Sequence, residues 1–143
     1  MPWTARQERQ HRVRGNVVTR EWSGSPPTTH FFVNSLDTRT GALVGRTEVI
    51  SSAGNGCGNH AFEACAHNNR PGLLLVQNQL FLGFGSTIGE FSDVPYHGFV
   101  IGFDVSDPSH PRALPRVFCS TPNGVGGGIW MSGAGLASDG ASL

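Results

Sequence analysis

The sequence predicts an all-β fold of short antiparallel strands, and three observations support this prediction. Turn-forming residues are abundant, with 20 Gly and 9 Pro among 143 residues. Hydrophobic residues make up 38% of the chain and occur in short runs between the turns, as expected of strands joined by tight connections. Two of these runs end in the same way, with an apolar residue, an Asp and then a turn. The chain length suits one domain.

The two similar runs cover residues 30–37 and 97–104, and each is predicted to be one strand. Their last residues, Asp37 and Asp104, have side chains that accept hydrogen bonds from backbone N–H groups of a turn. Gly41, just after the first run, adopts positive φ without steric cost. A further run with the character of a β-strand follows each turn. These two strands are predicted over residues 42–49 and 112–118.

A second kind of segment is an apolar run interrupted by a two-residue turn. Residues 73–82 have Gln77-Asn78 at their centre. Residues 135–143 contain Asp139-Gly140, a strong hairpin signal that predicts the start of a further hairpin. Residues 16–19 are interpreted as the tail of an earlier hairpin.

Glycine-rich connectors over residues 51–58 and 123–128 separate these groups of strands. The order of segments predicts recurring antiparallel units of four strands, which are typical of the blades of a β-propeller. The alternative is a single β-sandwich in which the likeness between two hairpins is coincidental.

Composition excludes several kinds of site. The chain has no lysine, which excludes a P-loop and a Schiff-base enzyme that acts through a lysine amine. It lacks the Gly-x-Ser-x-Gly motif of a nucleophile elbow. The formal net charge is zero, so nucleic acid is not an expected partner. No apolar run approaches the ~18 residues of a membrane span, so no transmembrane segment is predicted.

The amino-terminal residues 1–15 are predicted to be a separate basic arm that is poorly ordered. Contact of this arm with phosphate or acidic lipid is the other interpretation. No signal peptide is visible in residues 1–15, because they contain no apolar core. Four arginines carry the arm's charge: Arg6, Arg9, Arg12 and Arg14.

Several motifs occur in a characteristic order over residues 16–143, and together they carry a family resemblance. They are Leu-Asp-Thr-Arg-Thr-Gly at 36–41, Arg-Pro-Gly-Leu-Leu-Leu at 70–75, Tyr-His-Gly-Phe-Val-Ile-Gly-Phe-Asp at 96–104, Thr-Pro-Asn-Gly at 121–124 and Gly-Gly-Ile-Trp-Met-Ser-Gly at 127–133. This set resembles PQQ-binding-like β-propeller repeat proteins, relatives of the quinoprotein alcohol dehydrogenases.

The resemblance implies a ring of four-stranded blades, of which this chain holds about two. Residues 16–143 would then be the tail of one blade, about one full blade and the start of the next, in an incomplete ring. The expected partners are the remaining blades or copies of the chain itself. An extracytoplasmic location, periplasmic or secreted, is also implied by the resemblance.

Quinoprotein dehydrogenases hold PQQ between a Trp ring and a disulfide of adjacent Cys, beside Ca²⁺ and a carboxylate base. This chain has no adjacent Cys, and no Asp or Glu matches the base. We therefore expect no catalytic residue and no cofactor here, with PQQ and calcium confined to a full-length homologue. Trp130 and His97 are the candidates for cofactor contact. Packing between blades for Trp130, and a hydrogen bond to a turn for His97, are the alternatives.

The stretch CGNHAFEACAH places Cys57, His60, Cys65 and His67 within eleven residues. Thiolate and imidazole are zinc ligands, so these four residues are candidates for one metal site. Their spacing departs from the common structural zinc patterns. A Cys57–Cys65 disulfide with Cys119 left over is a second interpretation, and free thiols in a long connector are a third.

The leading hypothesis from the sequence is a fragment of a PQQ-like β-propeller that acts as a binding or scaffold module without its own catalytic site. The runner-up is a fragment of a PQQ-dependent oxidoreductase whose catalytic residues lie on other blades. A small zinc-stabilised β domain is the third. Because an incomplete ring exposes strand edges, the first hypothesis predicts aggregation and no cooperative melting.

Overall fold

The computed structural model describes residues 14–50, 57–87 and 96–140. Its strands pair antiparallel in two sheets, which confirms the predicted all-β class. The helical elements in the described ranges are two short 3₁₀ turns, Ala64–Ala66 and Met131–Gly133. The strands are β1 (Arg14–Ser23), β2 (Thr28–Asp37), β3 (Leu43–Glu48), β4 (His67–Asn68), β5 (Leu74–Val76), β6 (Gln79–Ser86), β7 (Phe99–Asp104) and β8 (Arg112–Cys119).

The first sheet is a meander in the order β1-β2-β3. Residues 16–19 lie inside β1, which is longer than the sequence predicted and pairs with β2 over its whole length. The turn after β2 forms as predicted: the Arg39 N–H donates to Asp37 Oδ1 at 2.9 Å, and Gly41 has φ of +73°. The basic arm lies outside the described residues except for its last two, which begin β1.

The second sheet contains the four-stranded meander β5-β6-β7-β8, with β4 pairing with the far end of β6. The predicted hairpin at Gln77-Asn78 is the connection from β5 to β6, and Gln77 takes a φ of 55°. At the end of β7, the Ser106 N–H donates to Asp104 Oδ1 at 2.9 Å. This hydrogen bond is equivalent to the one that the Arg39 N–H makes to Asp37 after β2.

The hairpin predicted over residues 135–143 has no strand in its described part, which ends at residue 140. Gly135 instead forms a single parallel bridge with Gly72, and Gly140 has φ of +91°. Residues 141–143 lie outside the described residues.

The hydrophobic core lies between the two sheets. Residues directly opposite each other on antiparallel strands share one face, so three pairs across β6 and β7 form an apolar layer. That layer meets the face of β2 that carries Phe31 and Val33. The three pairs are Leu80–Phe103, Leu82–Ile101 and Phe84–Phe99.

Gly45 of β3 lies so close to the β7–β8 turn that a Cβ there would be 2.2 Å from the Pro108 carbonyl oxygen.

Candidate functional site

The cysteine- and histidine-containing stretch folds against one end of the second sheet. It begins with a turn in which the His60 N–H donates to the Cys57 carbonyl at 3.0 Å. Gly58 within this turn has φ of +57°, and a Cβ there would lie 2.8 Å from the Pro122 carbonyl oxygen. The turn is therefore packed closely against the loop that follows β8.

A disulfide joins Cys57 to Cys119, the last residue of β8. Both cysteines are buried, and Cys65 is an exposed free thiol. The Cys57–Cys65 pairing considered from the sequence is therefore wrong. The reason is that β8 returns its end to the turn at Cys57, whereas Cys65 sits in the 3₁₀ turn that follows.

His97 lies beside this disulfide. Its Nδ1 is 3.1 Å from the Thr121 carbonyl oxygen, so the imidazole is held against the loop after β8. One ring nitrogen of His97 and the two sulfurs of Cys57 and Cys119 all lie within 4.8 Å of one another. Burial lowers the pKa of His97, although the bond to the Thr121 carbonyl partly opposes this effect. His97 is therefore held as a neutral imidazole at pH 7.

His67 is also buried, but its ring is occupied by the backbone. Its Nδ1 lies 2.6 Å from the Glu63 carbonyl oxygen, and its Nε2 lies 3.0 Å from the His97 carbonyl oxygen and 3.4 Å from the His97 backbone nitrogen. Burial is the main cause that lowers the pKa of His67. This histidine ties the 3₁₀ turn to the segment just before β7, which is a structural role.

The four residues Cys57, His60, Cys65 and His67 are not brought together as one ligand set. In the part of the chain that the structure describes, the one group of three or more clustered metal-ligating side chains is Cys57, His97 and Cys119. The sequence pointed to Cys57, and separately to His97, but it gave no signal that β7 and β8 deliver His97 and Cys119 to the same place. Strand register supplies that information.

A cleft of about 450 Å³ opens next to this cluster. The His60 and His97 rings lie against each other there, with centroids 4.0 Å apart and planes inclined by 35°. The cleft thus presents imidazole, carboxylate and thiol groups in one place. The histidine, glutamate and cysteine side chains that line the cleft are those of His60, Glu63, Cys65, His67 and His97.

Trp130 has a different environment. A Cβ at Gly85 would be 3.1 Å from the Trp130 ring, so the indole packs flat over a glycine of β6. The Arg70 guanidinium carbon lies 5.5 Å from the ring centroid. Trp130 does not line the cleft that contains His97. The two candidates for cofactor contact therefore do not both line this cleft.

Comparison with family models, curated proteins and solved structures finds no match to this chain. The resemblance to PQQ-binding-like propeller repeats therefore rests on the sequence motifs. Within the described ranges, no helix has the length and apolar character needed to cross a membrane.

Proposed function

We propose that this chain forms neighbouring blades of a PQQ-like β-propeller and serves as a binding or scaffold module with no catalytic site of its own. The observation that supports this best concerns Val33 and Val100, the equivalent positions of the two sequence repeats. Val33 faces the second sheet, whereas Val100 lies on the face of the second sheet that points away from the first.

The strand pairing supports this placement of Val100. Val100 is paired with Gly83 and Phe118, so these three positions share one face. A Cβ at Gly83 would meet Pro71 and Ile129, which lie in the segments over that outer face. Phe84, one residue along β6, points the opposite way and contacts Phe31 of the first sheet.

Equivalent faces of the two sheets therefore point in the same direction and do not meet each other. A two-fold sandwich of repeats would place equivalent positions face to face, in an isologous contact. Sheets that repeat head to tail, as blades do, place the face of one unit against the opposite face of the next. Val100 itself is already only 8% exposed, so the proposal places a third layer over the part of this face that stays open, at Phe118.

The outer face of the second sheet carries several apolar side chains, as expected of a face that packs against another layer. A solvated antiparallel sheet normally alternates apolar and polar residues, with the polar ones outward. Here the outer face is apolar except at its end, where Asp104 pairs with Arg112, and Phe118 remains 58% exposed. Ile129 and Trp130 begin to cover one end of this outer face through contacts at Gly83 and Gly85. Its apolar side chains are Leu74, Phe81, Val100, Leu114 and Phe118.

The outer face of the first sheet is polar by contrast. Arg46 pairs with Glu21 at 2.6 Å and lies over the Phe32 ring at 3.5 Å from its centroid. His30 Nδ1 is 2.6 Å from a Glu48 carboxylate oxygen. Charged groups in such an arrangement are stable in water, so the stack is expected to continue beyond the second sheet.

Light scattering of the purified chain after size exclusion tests this proposal. We expect concentration-dependent self-association through the outer face of the second sheet. Phe118→Asp should lower the associated fraction at least fivefold, because it places a charge in the apolar contact. Val17→Asp on the polar outer face of the first sheet is the matched control and should leave association unchanged.

A monomer at every concentration, with a sharp melt that does not depend on concentration, would contradict the proposal. The chain would then be a self-sufficient two-sheet domain. Equal loss of association in Phe118→Asp and Val17→Asp would also count against it, since that result shows contact without a preferred face.

A further inference from the structure

We propose that Cys57, Cys119 and His97 form a binding site for a thiophilic divalent metal ion, Zn²⁺ above all, when the Cys57–Cys119 disulfide is reduced. The site thus has two forms: a covalent cross-link under oxidising conditions, and a metal centre under reducing conditions. This inference is independent of the propeller proposal, because it uses only the loops at one end of the second sheet.

The geometry of the three side chains fits zinc. Zn–S bonds of about 2.3 Å and Zn–N bonds of about 2.0 Å in a tetrahedron place two sulfurs about 3.8 Å apart and each sulfur about 3.5 Å from the nitrogen. The two sulfurs and one nitrogen of His97 already lie within 4.8 Å of one another. Reduction removes the S–S bond, which frees the two sulfurs to take the separation that zinc requires.

The hydrogen bonding of His97 prepares it as a ligand. Its Nδ1–H donates to the Thr121 carbonyl oxygen at 3.1 Å, which leaves the lone pair on Nε2. Metal-binding histidines in proteins usually donate their other N–H to a carbonyl or carboxylate in this way.

The surrounding loops supply the rest of the site. Cys57 and His60 belong to one turn, and the His60 and His97 rings lie against each other with centroids 4.0 Å apart. A fourth ligand would approach from the cleft that His60 lines, where water also has access. Cys57 and Cys119 are both buried, which favours metal binding by thiolates over hydration of the free charges.

The conversion balances with one reductant. A phosphine gives two electrons to the disulfide and takes the oxygen of one water molecule. The S–S bond breaks, and the two protons of that water convert Cys57 and Cys119 to thiols. Zn²⁺ then replaces the two thiol protons, which are released to solvent, and forms two Zn–S bonds. Oxidation of the two thiolates by a disulfide compound would restore the cross-link and release the ion.

The first test uses the full chain, reduced with a water-soluble phosphine, loaded with Zn²⁺ and desalted. Metal analysis should find about one zinc per reduced chain, and the oxidised chain should retain less than a tenth of that amount. Co²⁺ in place of Zn²⁺ should give the sulfur-to-cobalt absorption of thiolate ligation, since Co²⁺ accepts the same ligands.

Substitutions identify the ligands. Cys119→Ser should abolish retention, and His97→Ala should weaken zinc binding at least tenfold, or about 1.4 kcal/mol. Cys65→Ser should retain wild-type affinity, because Cys65 is outside the cluster. His110→Ala is the histidine control, since His110 is exposed and lies in the β7–β8 turn.

Alkylation of the wild-type chain keeps the proposal testable if a variant fails to fold. Zinc should slow modification of Cys57 and Cys119 by iodoacetamide at least tenfold, while Cys65 reacts at an unchanged rate. The proposal is overturned if the reduced chain retains no zinc, or if zinc protects Cys65 equally. Loss of binding in Cys65→Ser together with full binding in His97→Ala would also overturn it.

Discussion

Phe31 of β2 and Phe84 of β6 meet edge to face across the two sheets, with ring centroids 5.3 Å apart and planes inclined by 75°. Phe62, from the loop after the Cys57 turn, packs against Phe84 with a centroid separation of 4.7 Å. Such aromatic pairs stabilise a core beyond the area that they bury. This contact joins both sheets and the loop that carries Cys57 into one apolar core.

Phe84→Ala should therefore destabilise the fold by about 3–5 kcal/mol, because it removes a fully buried ring and leaves a cavity between the sheets. Urea denaturation followed by circular dichroism measures the change. Phe118→Ala is the matched control, since 58% of that side chain is exposed, and it should cost less than about 1 kcal/mol. Similar losses in both variants would mean that the core is not centred on Phe84.

Gly98→Ala should disrupt the end of the second sheet next to His97. A Cβ at Gly98 would lie 2.0 Å from the Gly127 carbonyl oxygen and 2.6 Å from Ser120 Oγ. Backbone must move to relieve that overlap, so we expect a loss of at least about 3 kcal/mol in the free energy of unfolding. Thermal melting and hydrogen exchange would report it.

Gly124→Ala provides the comparison for this prediction. It lies in the adjacent loop with nothing within 4 Å of its added Cβ. Its effect should be neutral or stabilising by up to about 1 kcal/mol, through the lower entropy of the unfolded chain. If the Gly98→Ala variant has the same melting temperature as Gly124→Ala, the close approach of Gly98 to Gly127 and Ser120 is disproved.

The Cys57–Cys119 disulfide closes a loop with a sequence separation of 62 residues. By the loop-entropy argument, its removal should lower the stability of the metal-free chain by about 4 kcal/mol. The double variant Cys57→Ser/Cys119→Ser, compared with Cys65→Ser in urea titrations, measures this difference. An unchanged midpoint for the double variant would show that the disulfide contributes nothing to the folded state.

Stability should fall as the pH drops below 6.5. The pKa of His67 in the folded chain is lowered, mainly by burial, so the unfolded state takes up a proton at a higher pH than the folded state does. Well above pH 6.5 both states carry the neutral ring, and there this histidine adds no pH dependence. His97 acts in the same direction, because its pKa is also lowered by burial.

Urea titrations at pH 8 and at pH 5.5 measure this pH dependence, and His67→Gln should reduce it. The Asp104 carboxyl, whose pKa is lowered first by a hydrogen bond from the Ser106 side chain, acts only at more acidic pH. Equal stability at pH 8 and 5.5 would show that His67 is not held neutral by burial.

The turns were the features that sequence reasoning predicted best. The hydrogen bonds of Asp37 and Asp104 to turn N–H groups depend on residues two positions away, and positive φ at Gly41 depends on the glycine alone. Both are local, so residue type is enough to predict them. The full length of β1 was missed, because Asn16 and Arg20 share the inner face with Val18 and so break the apolar alternation.

The candidate site was predicted only in part. Cys57 and His97 were both singled out, yet in different roles and in different sites. Their proximity depends on β7 and β8 pairing so that Phe99 lies opposite Cys119. No local property of the chain encodes which of two cysteines reaches Cys57, so the nearer one in sequence was the reasonable but incorrect partner.

By itself, then, the sequence determined the all-β class, the two repeated Asp turns and the hairpin at Gln77-Asn78, because backbone preference and hydrophobic alternation act over a few residues. Tertiary structure alone decided the Cys57–Cys119 pair, the place of His97 beside it, and the direction in which Val33 and Val100 face. These depend on strand register and sheet packing, which bring together residues that are distant along the chain.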